Sequence, residues 1–194
     1  MDSRSGVLPI RLARVRDAGA LLALRRAAED WLAERGIQQW SCGEVRLADI
    51  VRQLERREWF VSTTPSGVVT AALRLLEEVE GVWPDGEPAL ARYVRGLMVN
   101  RAVAPVGAGA AILAWAEARA VGQGATVMRL DCVESNARLR RFYADLGYSE
   151  VGRRDFDGPW FSATLFEKNL ETAPEPVCEP DRSEPPSPER RPTG

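Results

Sequence analysis

The segment that most restricts the fold is Gly107 to Ala120, an alanine-dominated run held between two β-type stretches, Tyr93 to Val99 and Thr126 to Val133. Alanine is the strongest helix former because it loses no side-chain rotamer freedom, and Ile112, Leu113, Trp115 and Ala116 give this helix packing positions. Gly122-Gln-Gly124 stops it. A strand, a helix and a strand in succession point to an α/β arrangement, and the neighbouring segments decide whether the alternation is regular.

It is not regular. Val7 to Leu12 reads as a strand, and Asp17 is placed to cap a helix whose Leu21, Leu22, Leu24, Ala28, Trp31 and Leu32 lie on one broad face, ending near Gly36. Val45, Leu47, Ile50, Val51 and Leu54 recur at helical spacing and predict a second helix directly after the first. Trp59 to Thr63 and Val68 to Leu76 predict a hairpin about the turn Thr64-Pro-Ser-Gly67. Glu77 to Ala89, with Trp83-Pro-Asp-Gly86, reads as an exposed loop. Asn136 to Leu146 predicts a helix closed by Gly147, and Tyr148 to Arg153 and Phe161 to Glu167 are strands around Asp157-Gly-Pro159. The expected order is βααβββαβαββ, with strands and helices mixed rather than in βαβ repeats.

With 194 residues, 45% hydrophobic and 28% charged, the chain is sized for one core, assigned to residues 1–170. Residues 171–194 are rich in Pro and Glu and poor in apolar side chains, so they are expected to be a disordered tail. That tail has six acids against three arginines; taking its −3 from the overall −2 leaves +1 for the folded part, and neither value suggests a nucleic-acid partner. Three separated cysteines and no apolar h-region point to a reduced, cytoplasmic setting. No apolar run reaches the ~18–20 residues that cross a bilayer, so no membrane partner is expected. The absence of histidine excludes Ser-His-Asp and Cys-His nucleophilic systems and His-ligated zinc, and no metal site is expected. Chemistry is left to carboxylates, Tyr, Cys, backbone amides and water.

The junction after Val99 is where that chemistry concentrates. A helix N-terminus presents unpaired N–H groups and a positive dipole end, and Gly107 and Gly109 let the backbone approach a bulky anion closely. Tight helix–sheet packing explains the same glycines equally well. Downstream, Leu130-Asp-Cys132, then Asn136, then Phe142-Tyr143 and Leu146-Gly147-Tyr148 follow in order.

With Leu97 to Val99 and the glycine loop, this succession resembles the acyl-CoA motif of the GNAT superfamily of N-acetyltransferases. The resemblance is specific over Arg95 to Gly152 and looser over residues 7 to 168. It implies a GNAT-like α/β (α+β) fold, with a mixed central sheet of about seven strands flanked by four helices. It also implies acetyl-CoA as co-substrate and transfer of its acetyl group to a primary amine by direct attack in a ternary complex. By the same resemblance the backbone of Leu97, Met98 and Val99 pairs with pantetheine, and the amides of Val106, Gly107, Ala108, Gly109 and Ala110 hold the pyrophosphate. Asn136 faces the cofactor and Tyr143 protonates the departing thiolate; a phenol with a pKa near 10 is a sensible donor to it. From its own sequence position Asn136 is equally a helix N-cap, and Cys132 reads as a small buried hydrophobe.

One departure stands out. Where the family loop begins with Gln or Arg, this chain has Ala104-Pro105, and Pro105 offers no N–H. No acid lies in Tyr93 to Leu97, so Glu77, Glu78, Asp131 and Glu134 remain the candidates for a general base. On the acceptor side Gln39, Trp40 and Glu78 are the expected residues, since an aromatic ring with acids (Glu77, Glu78, Glu80 near Trp83) would suit a cationic amine. The acceptor amine could belong to a small molecule or to a protein, and the sequence leaves the oligomeric state open, a homodimer included. The alternative is a non-catalytic acyl-CoA-binding or partner-binding module on the same fold, suggested by Ala104-Pro105 and the missing base.

Overall fold

The computed structural model describes residues 9–83, 90–156 and 162–170. The expected tail, the middle of the loop before Leu90 and the Asp157-Gly-Pro159 turn lie outside these residues. Seven strands form one sheet: β1 (Ile10–Leu12), β2 (Trp59–Thr63), β3 (Val69–Leu76), β4 (Ala91–Val99), β5 (Val127–Val133), β6 (Ser149–Arg154) and β7 (Ala163–Asn169). Their spatial order is β1-β2-β3-β4-β5-β7-β6. The helices are α1 (Ala18–Ala33), α2 (Leu47–Glu55), α3 (Ala108–Val121) and α4 (Ala137–Asp145), so the described residues follow the element order read from the sequence. None of these helices is long and apolar enough to cross a membrane.

Two cores form because the sheet is covered on both faces. On one face α1 and α2 set Leu21, Leu24, Ile50 and Leu54 against Val61 and Met98. On the other, α3 and α4 set Ile112, Leu113 and Tyr143 against Leu73, Leu130 and Phe166. Ile112 and Leu113 are almost fully buried, contributing about 1.5–3 kcal/mol each, which explains why the alanine-rich helix docks as well as forms.

Among the described residues every strand pair is antiparallel except β4 and β5, which the α3 crossover joins in parallel. That pairing runs from Ala91↔Val127 to Val94↔Leu130 and then ceases. The cause is local. The β3–β4 register shifts between Ala71↔Val99 and Arg74↔Arg95, leaving one extra residue on β4, and Gly96 within it has φ +62°. Such a bulge sharpens the bend of its strand, so the second half of β4 turns away from β5.

Asp17 differs from expectation. It sits at the N-terminus of α1, but its carboxylate accepts from the Arg14 backbone N–H (2.7 Å) and from the Arg11 guanidinium (2.7 and 2.9 Å) rather than from the helix. A short 3₁₀ turn at Val15–Asp17 aims it backward. The loop after β3 also departs from the exposed reading: Val82 and Trp83 are buried, and Trp83 stacks edge-on to Tyr93 and beneath Arg129.

Candidate active site

Where β4 and β5 part, a cleft of about 450 Å³ opens between the second half of β4, the first turn of α3 and the inner face of α4. Among the described residues the backbone of β4 past Val94 has no strand partner on its β5 side, so Leu97, Met98 and Val99 offer a free peptide edge to an extended ligand. The α3 end supplies the second requirement. Gly107 adopts φ +82° as the N-cap, a conformation that side-chain-bearing residues rarely take. Ala108 N–H is spent on Pro105 C=O (3.1 Å), while the next two amides, of Gly109 and Ala110, lie ahead of the first intrahelical acceptor.

Gly109 serves packing as well. A Cβ there would stand 3.3 Å from Val99 and 3.6 Å from Phe142, so only glycine lets α3 sit this close to β4 and α4. The two explanations of the glycine pair therefore divide by position, backbone conformation at Gly107 and close approach at Gly109. Gly107, Ala108, Gly109 and Ala110 all line the cleft, whereas the side chain of Val106 is fully exposed and points away.

Two arginines outside the motif stand at the cleft, Arg101 and Arg138. Arg101 lies flat on Trp31 with 3.8 Å to the ring centroid. Burial, then the neighbouring Arg138 and Arg35 cations, hold its guanidinium below the ordinary value. Mutual repulsion of this kind favours an anion between them. The loop lacks Gln or Arg at position 104, and cationic side chains are available from positions 101 and 138 instead. The donor set thus fits a phosphorylated ligand with an extended arm: open strand edge, helix-end amides and paired arginines. The sequence signal was present in Arg101, two residues past the strand, but only folding shows that α4 brings Arg138 beside it.

Tyr143 reaches the same cleft from α4, buried among Phe142, Tyr148 and Phe166. Burial first, then Cys132 and Asp131, push its phenol far above the ordinary value, so it carries its proton at neutral pH. The Cys132 thiol is pushed up to about 12, chiefly by burial, which leaves it a packing residue rather than a nucleophile. Asn136 accepts from Leu139 N–H (3.1 Å) as the α4 N-cap and points its amide at Gln39 Oε1 (3.4 Å). Its polar atoms thus serve the protein while its surface lines the cleft.

Of the four acids that are candidate bases, Asp131 alone lines the cleft. Burial raises its carboxyl above the ordinary range, opposed by Arg95. Its Oδ1 is buried and has no hydrogen-bond partner among the described residues. Arg95 Nε stands 3.6 Å away. The sequence offers no reason to prefer Asp131 because the strand register that brings it beside Arg95 is set by pairing between segments distant in the chain.

A second cavity, of about 470 Å³, adjoins the first. The two share Gln39, Trp40, Arg95, Gly96, Met98 and Asp131 in their walls, so Asp131 stands at their boundary. The loop between α1 and α2 closes this region and is pinned at three points. Glu29, almost fully buried, accepts from Arg25 (2.6 Å) and from Gly43 N–H (3.1 Å). Arg25 stacks on Trp40 at 3.9 Å, and Gln39 Oε1 accepts from Val133 N–H (3.1 Å) at the end of β5. Gln39 and Trp40 therefore come together with Tyr143 and Asp131. Glu78 does not: it is exposed and lines neither cavity, because β3 ends before the sheet reaches that side. The cations of the second cavity are Arg25, Arg74 and Arg95.

A sequence model of the acetyltransferase (GNAT) family matches residues 39–148. The uncharacterized N-acetyltransferase YesJ of Bacillus subtilis (strain 168) is 31% identical over 160 residues, spanning 79% of this chain and 86% of YesJ. Among solved structures, a GNAT-family acetyltransferase of Listeria monocytogenes 4b F2365 superposes with a TM-score of 0.69 at 25% identity, covering 84% of this chain and 95% of that one. The structure of yncA from Salmonella typhimurium, with its cofactor acetyl-CoA, shares the fold at a TM-score of 0.63 and 20% identity, over 88% of this chain and 98% of that one.

Proposed function

The chain belongs to the acetyltransferase (GNAT) family, and from that premise we propose that it transfers the acetyl group of acetyl-CoA to a primary amine by direct attack in a ternary complex. The observation that carries this reading is the meeting of Tyr143 and Asp131 in one cleft, with unpaired helix amides at one end and a second cavity at the other. Acetyl-CoA supplies the acetyl group as a thioester. Amides of Gly109 and Ala110 with Arg101 and Arg138 would hold its phosphates, and the open edge of Leu97 to Val99 would pair with its amide arm.

The residues then divide the proton traffic. As the amine nitrogen bonds to the acetyl carbon and the carbon–sulfur bond breaks, the nitrogen must lose a proton and the sulfur must gain one. Asp131, with an unpartnered oxygen at the cavity boundary, takes the first. Tyr143, the phenol that lines the same cleft, gives the second. The bulge at Gly96 exposes the β4 amides that would polarise the thioester oxygen. Asp131 in the cleft supports the catalytic reading over the non-catalytic module, which the lack of an acid in Tyr93 to Leu97 had suggested.

Purified protein incubated with acetyl-CoA and an amine panel, with free thiol followed, tests this. Turnover is expected, and Tyr143→Phe should lower kcat by about 100-fold or more with little change in KM for acetyl-CoA. Calorimetric binding of CoA with no turnover on any amine would return the chain to the binding-module class, and an unchanged rate in Tyr143→Phe would remove that residue from the chemistry.

A further inference from the structure

Resting on this reading, we infer that the acceptor is an α-amino acid, its carboxylate held by Arg95 and Arg74 and its amine by Asp131. Arg74 and Arg95 are direct cross-strand partners on β3 and β4, and both line the second cavity. Like charges directly opposite each other across a sheet are destabilising, so the pair calls for an anion beside it. Glu58 supplies part of that, accepting from Arg74 Nε at 3.0 Å and from its Nη2 at 2.5 Å. Arg95 is not so satisfied: among the described residues its guanidinium makes no hydrogen bond, and its nearest carboxylate oxygen is Asp131 Oδ1 at 3.6 Å.

The cavity therefore presents an arginine with unused donors beside an aspartate with an unused acceptor. A zwitterion laid across this pair meets opposite charge at both ends. The short separation of the two groups also selects the spacing, because an α-amino acid carries amine and carboxylate on a single carbon. A simple amine would leave Arg95 covered by the ligand without an added anion; Arg25, paired with Glu29 and Glu44, and Arg74, paired with Glu58, are already matched, so Arg95 is the cation of this cavity that a ligand carboxylate would satisfy. Trp59, Ile50, Met98 and Val82 supply apolar wall on the same cavity, suited to the side chain. The acids expected to attract a cationic amine, Glu77, Glu78 and Glu80, are exposed and lie outside this cavity.

The test uses the full chain with acetyl-CoA and three matched acceptors: L-leucine, L-leucine amide and 3-methylbutylamine, with spermidine as the polycation. The expected result is kcat/KM about 100-fold or more higher for leucine than for the amide or the amine. Arg95→Gln should raise KM for leucine far more than KM for acetyl-CoA and abolish leucine's advantage over the amide, and Arg95→Lys should restore part of it. Equal or better turnover of the amide, the amine or spermidine would overturn the inference while leaving the acetyltransferase reading intact. Should no acceptor turn over, calorimetric titration of the CoA-loaded protein decides: leucine binding that Arg95→Gln abolishes supports the amino-acid site, and no preference for leucine over 3-methylbutylamine refutes it.

Discussion

Arg95 Nε lies 3.6 Å from Asp131 Oδ1, one residue beyond the last paired position of β4 and β5. The two side chains meet where the strands begin to separate, so each is anchored by a regular ladder on one side and faces open space on the other. An ion pair this long is no hydrogen bond, and its buried Asp131 Oδ1 has no hydrogen-bond partner among the described residues, so both groups are available to a ligand.

Asp131→Asn is expected to lower kcat by about 100- to 10,000-fold, the range for loss of a general base, with acetyl-CoA affinity retained. Because burial raises the Asp131 pKa, the wild-type rate should rise with pH through that raised value, and the variant should lose this limb. The stability sign is opposite to the usual carboxylate. A folded pKa above the unfolded one means stability is lost as pH climbs from the unfolded value through the folded one. At neutral pH the Asn variant should therefore match or exceed the wild-type Tm, a combination that thermal melts and a pH–rate profile check together.

Gly96→Ala tests the bulge. Position 96 has φ +62°, and an added Cβ would stand 3.1 Å from the Trp59 ring. Left-handed strain costs about 1–2 kcal/mol for an L-residue, and relief by flattening the strand would narrow the cleft. Lower Tm together with weaker CoA binding by calorimetry is expected; weaker stability with unchanged CoA affinity would separate the bulge from the cleft.

Gln39→Ala removes the acceptor of the Val133 N–H and the partner of Asn136. Leaving those groups unpaired costs about 1–3 kcal/mol. The α1–α2 loop should then exchange amide hydrogens faster, and KM for the acceptor should rise more than KM for acetyl-CoA. Gln39→Glu, which keeps an acceptor oxygen, should recover most of the loop protection.

Asp17 gives the fold an acid-sensitive joint. The hydrogen bond from Arg11 is the largest cause holding its carboxyl below the ordinary range. A depressed folded pKa contributes stability above the unfolded pKa that is lost as pH falls through the folded value. Asp17→Asn should cost about 1–2 kcal/mol at neutral pH and nothing once the pH is well below 4, so wild-type and variant denaturation midpoints should converge on acidification.

The elements themselves are legible in the sequence because they rest on short-range physics. Alanine content makes α3, helical spacing makes α1 and α2, and turn residues close the β2–β3 hairpin, with boundaries shifted by one or two residues where the loss of a ladder hydrogen bond rather than propensity ends a strand. The motif from Leu97 to Tyr148 is legible for the same reason: its order along the chain reflects one continuous strand–loop–helix–strand–helix path. The burial of Trp83 escapes a local reading because it depends on Tyr93 and Arg129, which are distant in the chain.

What the sequence determined by itself is the family, the element order and the glycine loop, since each depends on residues near one another. Tertiary structure alone decided the rest. It set Asp131 at the cleft rather than the three other acids, brought Arg138 to Arg101, and placed Arg74 opposite Arg95, because strand register and a single bulge residue at Gly96 fix which side chains share a face. Register is a long-range property, and a shift of one position in β3, β4 or β5 would send Arg74, Arg95 or Asp131 to the other side of the sheet.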